Sequence, residues 1–560
     1  MRRGLPSFRA KKYSAVEPDE ILIESANLPA FDAAHLEGRI EKPLSKRVYK
    51  AVLAAATVLA AAVLIQTFML SVARHDFYAA WALDNRLEAH TILADRGIIT
   101  DRSGAPLVEN VGTSSEKVER RYVLGEAAAH VTGYVSYPKK DAKGFWFQDE
   151  MIGLGGVEAL YNDRLRGKNG SMLHELDATG KSTSGAIVRP AIPGDDLALS
   201  IDAELQSAVF SAIKDRVDAS FKGGAAAIMD VETGELYALA SYPSYDPKVL
   251  SAGEPREIIA AYLQDARGPF VDRAISGLYT PGSIVKPFLA LAALQEGVAT
   301  PQTTYVSTGK LVIPNPYDPS KPTIFKDWRA HGATDMRRAI AVSSDVYFYI
   351  IGGGFESHRG LGISAIDRYA ALFGFGSKTG FPLEDEPAGV VPTPAWKADV
   401  FGEDVWRVGD TYNTSIGQYG WQVTLLQSLR ATAALANGGT LLTPTILRDA
   451  PTEATTISLR PEYLRVVNEG MRDAVTDGTA KALIISGAEI AAKTGTAETG
   501  VRKEFINSLI IGFFPFDAPK FAFAVVLERA PAGTMQGAPA AMRAILEWIA
   551  VHRPQMLRAD

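Results

Sequence analysis

The sequence contains no cysteine. That absence excludes disulfides, thiol catalysis and cysteine-ligated metal centres together. It suits a protein of an oxidising compartment that does without disulfides, although a cysteine-free cytosolic chain would read the same. Histidine is sparse too: eight residues, scattered, with no His-Glu-x-x-His pattern. His331 and Asp327 read as a solvated loop pair, and no metal site is expected. Neither sign of charge dominates. A net charge of −6 over 560 residues leaves no electrostatic footprint for a nucleic-acid partner. Internal repeats and low-complexity blocks are also missing. What remains is a composition ordinary for folded protein, long enough for two or three domains with sizeable cores.

One apolar run stands out. Ala51 to Ala73 carries no charge, and as a helix it would span about 34 Å, enough for a bilayer core of about 30 Å. Lys42, Lys46, Arg47 and Lys50 crowd its amino-terminal side, against Arg74, His75 and Asp76 on the other. The positive-inside rule then keeps residues 1–50 in the cytoplasm and exports everything after Arg74. The run starts late and no small-x-small cleavage site follows, so an uncleaved anchor is expected rather than a signal peptide. No later stretch is apolar enough to cross again. The first 50 residues read as a polar, largely disordered tail.

From Arg74 to about Pro193 short strand-like runs alternate with turn signals such as Asp101-Arg102-Ser103-Gly104. After Pro193-Gly194-Asp195-Asp196 the texture changes. Helical periodicity begins at Ala203, and GGAAAIMDVETGELYALAS reads as two strands joined near Glu232-Thr233-Gly234. Apolar helical patterns follow at Val285 to Gln295 and Leu425 to Leu435, with strands near the end in AAKTGTAE and INSLIIGFFPFDAPKFAFAVVLE. The expected class is α+β: tail 1–50, membrane helix 51–73, a small β-rich pedestal 74–200 and a large mixed domain 201–560.

Chemistry concentrates in three boxes. Ser283-Ile284-Val285-Lys286 follows Pro281-Gly282 and opens an apolar helical run. Residues three apart share a helix face, so Ser283 and Lys286 point into one space. A serine hydroxyl needs a base to become a nucleophile, and a lysine lowered in pKa by burial can be that base. Alone the pattern is weak: Ser114/Lys117, Ser136/Lys139 and Ser307/Lys310 share it, but none opens an apolar helix. Ser343-Ser344-Asp345 lies between helix-like MRRAIAV and aromatic VYFYI, and Lys493-Thr494-Gly495-Thr496 lies in a strand context. A second Lys-Thr-Gly, at Lys378, sits in the glycine-rich FGFGSKTGF and reads as a surface turn.

The order Ser-x-x-Lys, Ser-x-Asp, Lys-Thr-Gly resembles that of penicillin-binding proteins. With Arg96-Gly97-Ile98-Ile99-Thr100-Asp101-Arg102, Gly153-Leu154-Gly155-Gly156-Val157-Glu158, TGELYALASYPSYDP and RAISGLYTPGSIVKP, the chain resembles the class B penicillin-binding proteins, bitopic peptidoglycan D,D-transpeptidases. VVPTPAW, VWRVGDTYNTSIGQ and Asp345 look most like penicillin-binding protein 2 of the elongation machinery. The resemblance implies a penicillin-binding, serine β-lactamase-like domain that cross-links stem peptides through a serine acyl-enzyme, with no cofactor. Ser283 would be the nucleophile and Lys286 the acylation base. Ser343 would relay a proton to the leaving amine, and Asp345 would orient Lys286 or the substrate amide. Lys493 would supply the electrostatic field, and Thr494, Gly495 and Thr496 would form the edge that binds the donor and its terminal carboxylate. The backbone of Ser283 and Thr496 would form the oxyanion hole. Implied partners are D-Ala-D-Ala donor and amine acceptor stem peptides, β-lactams, and a SEDS-family glycan polymerase in the bacterial inner membrane, with the catalytic domain in the periplasm.

The chain departs from the family pattern in four places. Tyr419 stands where Gly is usual, Leu425 where Pro is usual, Asn507 to Ile510 replace a more aromatic stretch, and the segment from Arg102 to Gly153 is short for a pedestal head. A septal transpeptidase or a D,D-carboxypeptidase relative shares the same boxes. A bifunctional glycosyltransferase enzyme would need more chain before residue 200, and a β-lactam sensor usually has several membrane helices.

Overall fold

The computed structural model describes residues 45–559 apart from 85–86, 113–118, 143–145, 177–181, 316, 384–385 and 403–404. The expected tail therefore lies, up to residue 44, outside the described residues, as does the Ser114/Lys117 pair. The chain divides into two units, residues 1–87 and 88–560.

In the first unit a helix runs Lys46–Phe68, passes through a π-helical turn at Met69–Ala73, and is followed by a helix at His75–Asp84. Helix thus begins five residues before the uncharged run, because Lys and Arg are good helix formers and their long stems tolerate a bilayer edge. The π turn closes with the Arg74 N–H donating to the Met69 carbonyl at 2.9 Å. Its apolar side chains have no protein cover in this unit. Among the described residues this is the helix long and apolar enough to cross a membrane; it is the single-pass anchor.

The second unit begins with the β-rich region. Ile99–Thr100, Pro106–Val111 and Glu119–Tyr122 form a small sheet with Leu197–Ala198, and Gly170–Leu176 pairs with Ser182–Arg189 in a separate sheet. A buried ionic node lies under the first. Arg96 donates to Glu158 Oε2 at 2.6 Å, Arg120 to Glu158 Oε1 at 2.7 Å, and Asn110 bridges the two arginines. Gly97 has no room for a Cβ, which would fall 2.0 Å from the Asp195 carbonyl oxygen. The Arg96-Gly97 box therefore clasps the Pro193–Asp196 turn, and Asp196 accepts from the Ile98 N–H at 2.6 Å.

The rest is built on one five-stranded antiparallel sheet. Its strands are β1 (Gly223–Asp230), β2 (Leu236–Tyr242), β3 (Ala491–Thr499), β4 (Phe505–Phe514) and β5 (Phe521–Pro531), in the order β2-β1-β5-β4-β3. Helices α1 (Ala203–Ser220), α2 (Lys286–Gln295), α3 (Met336–Val342), α4 (Asp345–Gly353), α5 (Leu425–Ala436), α6 (Pro461–Thr476) and α7 (Ala538–His552) surround it. Strand alternation sorts the core. Ala226, Ile228, Ala492, Ile510 and Val525 pack with Leu205, Val209, Ile545 and Leu546 of α1 and α7. Ala225, Ala227, Ala491, Leu509 and Ala524 pack with Phe288 and Leu429 of α2 and α5. Sandwiched between helices, β1, β4 and β5 are buried on both faces, and β3 is left as an edge.

Two departures from the family pattern find local reasons. Leu425 is the first residue of α5, behind a capping box of Thr424 and Gln427. That position needs no N–H partner, so proline and leucine both fit. Tyr419 takes φ +62, a conformation suited to glycine, and its ring is held among Trp396, Phe401 and Trp406.

Candidate active site

The first box opens not as regular α-helix but as a 3₁₀ turn, Gly282–Val285, that feeds into α2 at Lys286. Gly282 makes the turn possible. Its φ is +55, and a Cβ there would press on the Thr496 carbonyl oxygen at 3.0 Å. Gly495 plays the reciprocal part on β3: a side chain would meet Ile284 and the Pro281 carbonyl at 2.8 Å. Two glycines thus let the serine turn lie against the edge strand. Ser283 is half-buried at the wall of a groove of about 620 Å³, which Ser343, Asp345, Thr494, Gly495 and Thr496 also line.

Lys286, one turn on, is fully buried. Its ammonium donates to the Ser343 carbonyl at 2.9 Å, to Ser343 Oγ at 3.2 Å and to Asp345 Oδ1 at 2.5 Å. Ser343 can offer carbonyl and hydroxyl together because it caps α3 in the left-handed conformation, φ 59 and ψ 43. A non-glycine residue held there stores strain of about 1–3 kcal/mol, which the surrounding bonds must hold. Asp345 opens α4, where the helix dipole favours its negative charge.

From the other side Lys493, also fully buried, donates to Ser343 Oγ and to the Thr494 carbonyl, both at 2.8 Å. Burial, and next the neighbouring charge of Lys286, push the Lys493 amine well below its ordinary range; Asp345 opposes this. One hydroxyl is therefore gripped by two lysines, of which, among the described residues, only Lys286 has a carboxylate within ion-pair distance.

All eight residues singled out in the sequence meet at this groove or just behind it. One expectation is corrected. Asp327 and His331 are a pair, but not a solvated one, since both side chains are at most 1% exposed. Asp327 accepts from Ser307 Oγ, Ser344 Oγ and the Val346 N–H at 3.0–3.1 Å, and from the Trp328 N–H at 2.8 Å. It ties the second box to the strand at Tyr305–Ser307. Burial lowers the His331 pKa against the pull of Asp327. The misreading came from the polar sequence KDWRAHG, which resembles a surface loop. Lys378 is exposed in its loop, while Thr379 turns inward to Glu386 at 2.6 Å.

The groove also contains residues the sequence reading missed. Trp328 forms one wall, its indole donating to the Val342 carbonyl at 3.2 Å. Thr479 shares a 2.7 Å bond with the Thr494 hydroxyl. Ser508, within the stretch that departs from the family pattern, lines the groove and accepts from the Ala538 N–H at 2.9 Å. No spacing rule links these positions to the boxes; the signal was the departure itself for Ser508, and none for Thr479.

Residues 224–547 match the penicillin binding protein transpeptidase domain, and residues 112–199 the penicillin-binding protein dimerisation domain. The Haemophilus influenzae peptidoglycan D,D-transpeptidase MrdA is 31% identical over 482 residues, which cover 78% of this chain and 70% of that protein. Among solved structures, PBP2 from Helicobacter pylori in complex with MreC is similar with TM-score 0.68 at 25% identity, over 83% of this chain and 99% of that one. A chain of a peptidoglycan synthase complex, described as coordinating polymerization and crosslinking, is similar with TM-score 0.70 at 26% identity, over 90% and 98%.

Proposed function

The chain belongs to the penicillin-binding protein transpeptidase family and is a peptidoglycan D,D-transpeptidase; we propose that Ser283 is its nucleophile and that it acts in cell-wall elongation. The observation that carries the chemistry is the convergence of Lys286 and Lys493 on the Ser343 hydroxyl, in the groove that Ser283 also lines. Ser283 Oγ attacks the penultimate D-Ala carbonyl of a donor stem peptide, forming the ester as the peptide C–N bond breaks. The developing oxyanion lies near the Ser283 and Thr496 N–H groups, and an N–H in the first turn of a helix has no intrahelical acceptor to compete for it. Lys286, in its unprotonated amine form, takes the serine proton. The contiguous Lys286–Ser343–Lys493 contacts support a relay of that proton to the leaving amine of terminal D-Ala. Asp345 orients Lys286. Thr494 and Thr496 hold the donor's terminal carboxylate, which the two lysines favour electrostatically. An amine from a neighbouring stem peptide then displaces Ser283 and forms the cross-link.

The test is covalent labelling. Fluorescent penicillin is expected to modify the protein stoichiometrically, with the adduct found by mass spectrometry in TPGSIVK, and Ser283→Ala is expected to abolish it. An adduct on Ser343 instead would sink the assignment.

The chain divides into tail 1–50, anchor 51–73, pedestal 74–200 and transpeptidase domain 201–560. The basic residues before the anchor support an inner-membrane orientation with the catalytic domain in the periplasm. Similarity to MrdA and to the synthase-complex chain supports the elongation role and a SEDS-family polymerase as partner. The anchor is rich in alanine, Ala54 to Ala56 and Ala60 to Ala62, and small residues let helices pack closely in lipid. Depletion in a rod-shaped host is expected to give rounded cells; filaments would assign the protein to division and leave the chemistry intact.

A further inference from the structure

Thr479 stands in a short loop after α6 that touches both the helix ending in the second box and the strand of the third. The Gly478 position admits no side chain, since a Cβ would lie 2.1 Å from the Ala341 carbonyl oxygen, and the Thr479 N–H donates to that same oxygen at 3.1 Å. Ala341 is two residues before Ser343. Asp477 pairs with Arg338 of α3 at 2.9 Å, so the loop is fixed to the helix that ends in the second box. From this fixed backbone the Thr479 hydroxyl meets Thr494 Oγ1 at 2.7 Å, and both residues line the groove.

Two hydroxyls carry two protons, and their mutual bond uses one. Among the described residues neither has another side-chain or backbone partner for its hydroxyl, so one proton remains to be offered to the groove. When Thr479 donates to Thr494, the Thr494 proton is the one released, and the chain Thr479–Thr494–acceptor polarises in one direction. Two lysines, Lys286 and Lys493, lie behind the groove against the one carboxylate of Asp345, so an anion is the acceptor that this cluster favours. We propose that Thr479 positions the Thr494 hydroxyl as a proton donor to the donor substrate's terminal carboxylate, making it a specificity-determining residue of the acyl-donor subsite. This rests on the reading of the groove given above.

The experiment uses the full chain in detergent and compares second-order acylation rates for benzylpenicillin and its methyl ester, which lacks the anionic carboxylate. Thr479→Val keeps the shape and removes the hydroxyl. It is expected to lower the rate for benzylpenicillin about tenfold, the worth of one hydrogen bond to a charged group, and to leave the ester within twofold. Thr479→Ser is expected to restore the wild-type ratio. In a Thr494→Val background, Thr479→Val is expected to change the ratio no further. Equal losses for acid and ester, or no loss for the acid, would overturn the proposal while labelling at Ser283 still stood. Should Thr479→Val fail to fold, Thr479→Ala makes the same comparison. Absence of any wild-type labelling would instead remove the reading on which it rests.

Discussion

Lys493→Met is expected to lower the rate of penicillin acylation by about 10³-fold or more and, in the same protein, to raise thermal stability. The two effects have one cause. The Lys493 amine is removed from water entirely, has among the described residues only the Ser343 hydroxyl and the Thr494 carbonyl as hydrogen-bond partners, and faces the charge of Lys286. A cation in that position carries a desolvation penalty, and an apolar residue of similar length relieves it. Water cannot replace the charge in catalysis, because the groove wall is closed behind it. The pH dependence follows from the lowered pKa. Between the depressed native value and the ordinary 10.5 the unfolded chain holds a proton that the native chain does not. Stability therefore rises with pH across that window, and the variant is expected to lose this part of the slope. Melting curves of wild type and variant over a pH series, beside acylation rates, check both halves. Lys378→Ala, in the exposed loop, is the control and is expected to stay within twofold of wild type. Comparable losses for both lysines would mean that the charge at β3 is not the one that matters.

How much of this was readable in advance depended on the range of the physics involved. Period-three and period-two patterns act over a few residues, so the Ser283/Lys286 pair, the hairpin of β1 and β2, and the strand around Lys493 could be read directly. The turn before α2 could not, because its 3₁₀ geometry comes from Gly282 pressed against Thr496, a contact made across the fold. The same holds for the bonds that join the boxes. Lys286 reaches Asp345 across 59 residues, and Lys493 reaches Ser343 across 150. Asp327 was misread for a related reason. Its neighbours in sequence are polar, yet three of its five donors come from two other segments, Ser307 in one and Ser344 and Val346 in the other, that bury it. The anchor was foreseen by its lack of charge, but that criterion cannot see helix continuing through Lys46, Arg47 and Lys50.

The ionic node of the pedestal joins two boxes that the sequence could only place side by side in a resemblance, Arg96 in one and Glu158 in the other, and it is expected to be the most sensitive point of that region. Glu158 accepts from both guanidinium groups, and all three side chains are at most 1% exposed. Removing it leaves two buried cations with, among the described residues, only carbonyls and Asn110 for partners. Breaking a buried pair typically costs about 3–5 kcal/mol, and here one carboxylate serves two partners, so Glu158→Ala is expected to lie at or beyond the upper end. Burial already pushes the Arg96 guanidinium below its ordinary range, with Glu158 as the chief opposing influence. Limited proteolysis is expected to cut Glu158→Ala first within residues 88–200, leaving a resistant fragment that still carries the penicillin label at Ser283. Glu158→Gln, which keeps the shape and one acceptor oxygen, is expected to lie between. The combined Arg96→Met, Arg120→Met, Glu158→Leu variant replaces the whole node with apolar volume and is expected to recover most of the loss, since it leaves no charge unpaired. If the triple variant were as protease-sensitive as Glu158→Ala, the node would matter for the directional bonds to the Met151 and Glu158 carbonyls that clasp the Arg96 segment, and not for charge compensation.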